Sequence, residues 1–162
     1  PRGPGFLPAF WLMTTDEDRY GGWPACGEID IMEIWGDQTK TAYGTLHYGL
    51  PHGQSQGRMT LAEGDFAETY HDFSLEWEPE AIRWYVDGRL FYETGYWFST
   101  DADGTAHPYP APFNHEMYLI LNLAVGGNWV GYPDETTDFG HAVYAVEHVR
   151  VYQKKQGGKQ NL

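Results

Sequence analysis

Gly27-Glu28-Ile29-Asp30-Ile31-Met32-Glu33-Ile34-Trp35-Gly36 sets three carboxylates among β-branched and apolar residues. That composition reads as a strand with an acidic face. Side chains two apart share a face in a regular strand, so Glu28 and Asp30 point the same way. The next position on that face is Met32, yet the third acid sits one residue late, at Glu33. A β-bulge inserts one extra residue, bends the strand and returns Glu33 to the acidic face. The Cα atoms of Glu28 and Glu33 are then roughly 13 Å apart, four strand steps of about 3.3 Å. Two Glu side chains leaning together close that to about 5–5.5 Å, the separation at which one carboxylate attacks a sugar while another protonates the leaving group. An ordinary solvated face is the plainer alternative, but aligned acids repel and are depleted in strands.

Working outward, the chain reads as nearly all β. Candidate strands are 7–13, 28–35, 41–48, 71–78, 81–86, 89–93, 116–124 and 142–152. The clearest local signal is Ile82-Arg-Trp84-Tyr-Val86-Asp87-Gly88-Arg-Leu90-Phe-Tyr92. Asp-Gly between two alternating runs predicts a type I′ hairpin. Ile82, Trp84 and Val86 share one face there, as Phe73, Leu75 and Trp77 do on the preceding strand. No amphipathic helix of ordinary length is present; residues 62–69 offer the best candidate, weakened by Gly64. Segments 14–24, 49–59, 95–113 and 126–140, rich in Gly, Pro, Asp and Tyr, read as loops long enough to wall a cleft. Many antiparallel strands with turn signals predict a β-sandwich or barrel. Residues 1–153 form one domain on this reading, and 154–162 a flexible tail or linker.

The 162 residues carry 10 basic and 23 acidic side chains, a net charge of −13. Such a surface repels phosphate, which argues against nucleic acid and anionic membranes and favours a neutral polymer over a sulfated one. Seven tryptophans and twelve tyrosines supply flat apolar faces with polar edges, as carbohydrate clefts use. No run of 18 apolar residues offers a membrane span. Cys26 is the single cysteine, so no intrachain disulfide forms. It reads as a small packing residue before the acidic strand.

Glu28-Ile-Asp30-Ile-Met-Glu33 resembles the active-site signature of glycoside hydrolase family 16, in the bulged form of its laminarinase-like members. Pro8-Ala-Phe-Trp11-Leu-Met, Thr45-Leu-His47-Tyr, Asn122-Leu-Ala-Val-Gly-Gly-Asn-Trp129 and Val149-Arg-Val-Tyr-Gln153 agree with it in the right order. The resemblance covers about residues 5–153. It implies a jelly-roll β-sandwich with a concave cleft, an all-β antiparallel fold. It departs from the family at Leu7, where a Trp is usual. The Trp11 strand also stands close to residue 1, whereas several strands usually precede it, so the N-terminal portion is expected to be missing, with a further fragment of the same protein as its partner.

The resemblance makes Glu28 the nucleophile and Glu33 the general acid/base; the residues themselves specify the pair but not its order. Asp30 would hydrogen-bond the nucleophile and raise its partner's pKa, or else only tie down the bulge. His47 is placed to bond Asp30 or substrate, or to be an ordinary polar strand residue. Trp23, Trp129 and Trp11 resemble sugar-stacking positions. Trp77, Trp84 and Trp97 read as core or surface. The implied activity is retaining endo-hydrolysis of β-1,3 bonds in a neutral β-glucan, by a secreted enzyme. The alternatives are a non-catalytic β-glucan-binding module, a relative cleaving mixed-linkage glucan or red-algal galactan, and a xyloglucan transglycosylase, which the single cysteine disfavours. No cofactor is required. A structural calcium ion is allowed by the resemblance at Glu147, while Asp101-Ala-Asp103-Gly104 lacks the later ligands of a calcium loop, and Asp134, Glu135 and Asp138 read as a solvated loop.

Overall fold

A computed structural model describes residues 1–154. Its strands are β1 (Phe6–Thr14), β2 (Glu28–Ile34), β3 (Thr41–Tyr48), β4 (Gly53–Thr60), β5 (Phe73–Trp77), β6 (Ile82–Val86), β7 (Arg89–Thr94), β8 (Ser99–Thr100), β9 (Ala106–His107) and β10 (Met117–Val125). One antiparallel sheet runs β10-β1-β2-β3-β4, and a second runs β5-β6-β7. The pair β8–β9 forms a small separate ribbon. Phe139–His141 is a single 3-10 turn, and residues 62–69 form turns rather than a helix.

The two larger sheets pack face to face around Leu12, Ile29, Ile31, Leu46, Tyr48, Ile82, Trp84, Trp97 and Phe113, all buried. Each fully buried aliphatic side chain here stabilises the fold by roughly 1.5–3 kcal/mol. Alternation chose these residues: Ile82, Trp84 and Val86 are each 0 % exposed, whereas Arg83 and Tyr85 between them are half-buried. Their partners across the ladder are Trp77, Leu75 and Phe73, as the shared faces predict. Asp87 (φ 50°) and Gly88 (φ 74°) both adopt the left-handed conformation that a type I′ turn requires. Trp84 ties the two sheets together, its indole N–H donating to the Asp30 carbonyl at 2.7 Å. Gly44 makes room for that ring, since a Cβ there would sit 2.4 Å from Trp84 Cδ1.

Two parts of the sequence reading are corrected. Most of the segment 49–59, read as loop, belongs to β4, the edge strand beside β3. Residues 142–152, read as a strand, form no ladder; they run as irregular chain past Phe10, Met32, Ile34, Phe66 and Phe73, enclosing a cavity of about 360 Å³. The segment runs beside the β5 edge, His148 4.0 Å from Asp72 and Lys154 3.2 Å from Glu78, without pairing its backbone into that sheet. Val143, Val149 and Val151 remain exposed as a result. Of the expected tail at 154–162, all but Lys154 lies outside the described residues. Among the described residues, no helix is long and apolar enough to cross a membrane.

Candidate active site

The site is made by an irregularity in β2. Across from β3, Asp30 pairs with Thr45 and Glu33 with Tyr43, so three steps on β2 match two on β3. Across from β1, Asp30 pairs with Trp11 and Met32 with Phe10, so two steps match one. One extra residue is therefore accommodated at Ile31-Met32, and both side chains turn into the core, 5 % and 2 % exposed. The consequence is the predicted one. Glu28, Asp30 and Glu33 all line one depression of about 130 Å³, with Leu7, Ala9, Trp11 and Asn122.

Each acid has different company. Glu28 accepts a hydrogen bond from Trp23 Nε1 at 2.8 Å, and His47 Nε2 lies 3.9 Å from its other oxygen. Asp30 is buried, with His47 Nε2 3.4 Å from Oδ2 and no hydrogen-bond donor on that oxygen. Glu33 is served by the Thr45 hydroxyl, itself accepting from Gln56 Nε2 at 3.0 Å. Burial, then the Asp30 charge, pushes the Glu28 carboxyl up to about 7. Burial likewise pushes Asp30 up to about 7. Glu33 goes furthest, to about 9, through burial and then the charges of Asp30 and Glu28. Three carboxyls in one low-dielectric depression cannot all ionise near neutrality. Glu33 keeps its proton. Glu28 and Asp30 are hydrogen-bonded to each other and share one more. Glu28 has the indole N–H to stabilise a negative charge, whereas Asp30 Oδ2 has no such partner. The arrangement offers an ionised carboxylate and a protonated carboxylic acid on the same wall.

The chain belongs to glycosyl hydrolases family 16. The family's description matches residues 1–145. A glucan endo-1,3-beta-glucosidase A1 from Niallia circulans is 42 % identical over 161 residues, covering 96 % of this chain and 23 % of the relative. A glucan endo-1,3-beta-glucosidase from Cryptopygus antarcticus is 34 % identical, covering 93 % of this chain and 57 % of the relative. The laminarinase catalytic domain of Thermotoga maritima superposes with a TM-score of 0.72 at 41 % identity, covering 86 % of this chain and 55 % of that one. The chain therefore spans about half the length, or less, of the relatives it matches. The two packed antiparallel sheets are a jelly-roll sandwich of the family 16 kind.

In this family 16 chain the predicted aromatic residues fall into separate groups. Trp11 lies in the depression and donates from Nε1 to Asn122 Oδ1 at 2.7 Å. Trp23, 51 % exposed, stands at the Glu28 end beside His47. Trp129, 44 % exposed, stands apart from them, edge-on to Trp35 at 5.1 Å, and Trp35 stacks on Tyr43 at 5.6 Å. Tyr43 pairs with Glu33 across the ladder, so this cluster marks the Glu33 end. Trp84 and Trp97 are core, and Trp77 is a partly exposed edge. Sequence reasoning passed over Trp35, Tyr43, Thr45, Asn122 and His52. Thr45 and Tyr43 were readable as the alternate residues of the His47 strand; His52 carried no signal, being in a turn. Cys26 is fully buried, as a packing residue should be, and burial pushes its thiol up to about 11, leaving it unreactive.

Among the described residues, most of the acids considered for calcium have other partners. Glu147 faces His148 at 3.9 Å, and Asp101 and Asp103 are occupied in accepting from Thr105 within their own turn. Asp134 and Asp138 likewise cap their own turns, accepting from Thr136 and Gly140. Among the described residues, the acid and histidine atoms that converge are those of Glu28, Asp30 and His47. That group is the carboxyl site itself.

Proposed function

We propose that this chain is the catalytic domain of a retaining endo-β-1,3-glucanase acting on a neutral glucan such as laminarin. One observation carries the reading: the β2 bulge brings Glu28, bonded by the Trp23 indole, and Glu33, the carboxyl pushed up furthest, to one depression. Glu28 attacks the anomeric carbon while Glu33 gives its proton to the departing glycosidic oxygen. The glycosyl ester on Glu28 is then opened by water, whose proton Glu33 takes back, and Glu28 leaves as carboxylate. Two inversions give retention. Asp30, hydrogen-bonded to Glu28, holds the nucleophile in place before attack and after release. Water and the chain's own carboxyls balance the reaction. Trp23 and Trp129, at opposite ends of the carboxyl wall, offer stacking faces for glucose units on either side of the cleaved bond. The β-1,3 assignment follows the activities of the relatives and the bulged motif. A polymer too large to cross a membrane would be met outside the cell, so secretion accompanies the proposal.

The test is reducing-sugar release from laminarin, mixed-linkage glucan and agarose by wild type and by Glu28→Ala. Proton NMR of the first product supplies the stereochemistry. Laminarin hydrolysis with the β-anomer formed first, lost in the variant, is expected. An α-anomer first, or an active Glu28→Ala protein, sinks the assignment. Laminarin bound without turnover by wild type would replace it with a glucan-recognition role.

A further inference from the structure

Among the described residues six of the seven histidines have an acid, a hydroxyl or an amide within reach: His71 with Asp87, His107 with Asp101, His141 with Asp138, His148 with Asp72, His115 with Thr14 and His47 with Asp30. His52 is different. Its one hydrogen bond is to another imidazole, Nε2 to His47 Nδ1 at 2.8 Å. Its ring also stands edge-on to Trp23 with centroids 5.0 Å apart. Trp23 and His47 are the two side chains that flank Glu28. His52 therefore closes a ring, Glu28–Trp23–His52–His47, from an exposed turn. That turn is itself pinned: Leu50 N–H donates to the Thr100 carbonyl at 2.8 Å, and Gly49, at φ 61°, lies so close under Phe98 that a Cβ would come within 2.3 Å.

Two neutral imidazoles joined by one hydrogen bond must divide the roles. If His52 Nε2–H donates, His47 carries its own proton on Nε2, 3.4 Å from Asp30 Oδ2 and 3.9 Å from Glu28 Oε1. If His47 Nδ1–H donates instead, its Nε2 lone pair faces two carboxyl groups, one of them ionised. The first arrangement is the favourable one. Resting on the hydrolase reading above, we infer that His52 is a positioning residue: it fixes His47 as the Nε2–H tautomer and so keeps a donor on the acid pair.

Two substitutions separate this from simple packing. His52→Gln places an amide N–H2 where Nε2 was, so it can still donate to His47. His52→Phe keeps a ring against Trp23 and removes the donor. Long-range proton–nitrogen NMR of the full chain, above the titration of both imidazoles, reads the His47 tautomer directly. We expect the Nε2–H form in wild type and His52→Gln, and admixture of the Nδ1–H form in His52→Phe. On laminarin, kcat of His52→Phe should fall about fivefold to tenfold, as expected for one lost positioning hydrogen bond, with KM within about twofold. His52→Gln should restore it. His47 as Nδ1–H in wild type, an unchanged tautomer in His52→Phe, a glutamine variant as impaired as the phenylalanine one, or an active protein whose kcat ignores the change each overturn the inference. A wild type inert on laminarin removes the hydrolase reading alone, and the tautomer result still decides this one.

Discussion

Glu28 and Glu33 have the same side chain and opposite tasks, and their surroundings separate them. An indole N–H and the His47 ring favour charge on Glu28, while burial beside two acids holds the proton on Glu33. Glu28→Ala and Glu33→Gln are each expected to lower kcat on laminarin by about a thousandfold or more, with far-UV circular dichroism unchanged. The pH profile of kcat/KM should be bell-shaped. It falls below about 7, where the Glu28–Asp30 pair takes up its second proton, and above about 9, where Glu33 loses its own. Stability carries the same signature with a definite sign. Folded Glu33 binds its proton more tightly than the unfolded chain does, so between about 4.5 and about 9 the native state holds more proton and stability falls as pH rises. Glu33→Gln removes that loss. A gain of order 1 kcal/mol at pH 8 would raise Tm by about 2–4 °C in a chain of this size, and the gain should vanish near pH 4.5. Thermal melts at the two pH values check it; a variant less stable than wild type at pH 8 contradicts the charge state assigned to Glu33. His52 shows why not every such partner was legible: its contacts cross a turn to Trp23 and His47, and periodicity says nothing about a turn residue's neighbours.

At the scale of the element, the bulge decides which side of the sheet Glu33 occupies. Deleting Met32 leaves Glu28-Ile-Asp30-Ile-Glu33, a strict alternation that keeps the three acids together without a bulge. A glycine inserted after Met32, with the bulge kept in place, sends Glu33 to the core face instead. The deletion should leave measurable laminarin hydrolysis in a less stable protein, Met32 being buried against Ile34 and Ala42. Removing such a side chain costs about 2–5 kcal/mol. The insertion should abolish activity altogether. Equal loss in both, in proteins that still melt cooperatively, would show that the bulge does more than set the face. The acidic strand and the Asp87-Gly88 hairpin were legible because alternation and turn chemistry are local. β4 was not, for a physical reason. Its inward positions are Gly53, Ser55, Gly57 and Met59, paired with Tyr48, Leu46, Gly44 and Ala42. Aromatic rings from elsewhere fill the space: Tyr48 and Phe98 press on Gly53, and Tyr92 presses on Gly57. A strand whose core face is supplied by other residues' side chains carries no hydrophobic period of its own. Residues 142–152 err the opposite way, with the period of a strand but no backbone ladder.

Across the whole molecule, a three-stranded sheet packs on a five-stranded one, and the widths do not match. The inner face of β10, away from the carboxyl wall, carries Leu119, Leu121, Leu123 and Val125 opposite Leu12, Phe10, Pro8 and Phe6. Leu119, Leu121 and Val125 are 37 %, 40 % and 52 % exposed although their positions alternate as core. With the uncovered valines of residues 143–151 and the cavity beside Phe10, they make an apolar tract that solvated monomers rarely present. The net charge of −13 opposes association of copies through that tract, and salt weakens the opposition within a Debye length of about 8–10 Å. The 162-residue chain alone is therefore expected to enhance 8-anilinonaphthalene-1-sulfonate fluorescence and to sediment as larger species as sodium chloride is raised. Leu119→Lys with Leu121→Glu should abolish both, with little change in melting temperature, since neither side chain is fully buried. The carboxyl wall lies on the other face of the same sheet, so laminarin hydrolysis should survive the pair of changes. A wild-type chain that binds no dye and stays monomeric at high salt would mean that residues 142–154 close over this face in solution.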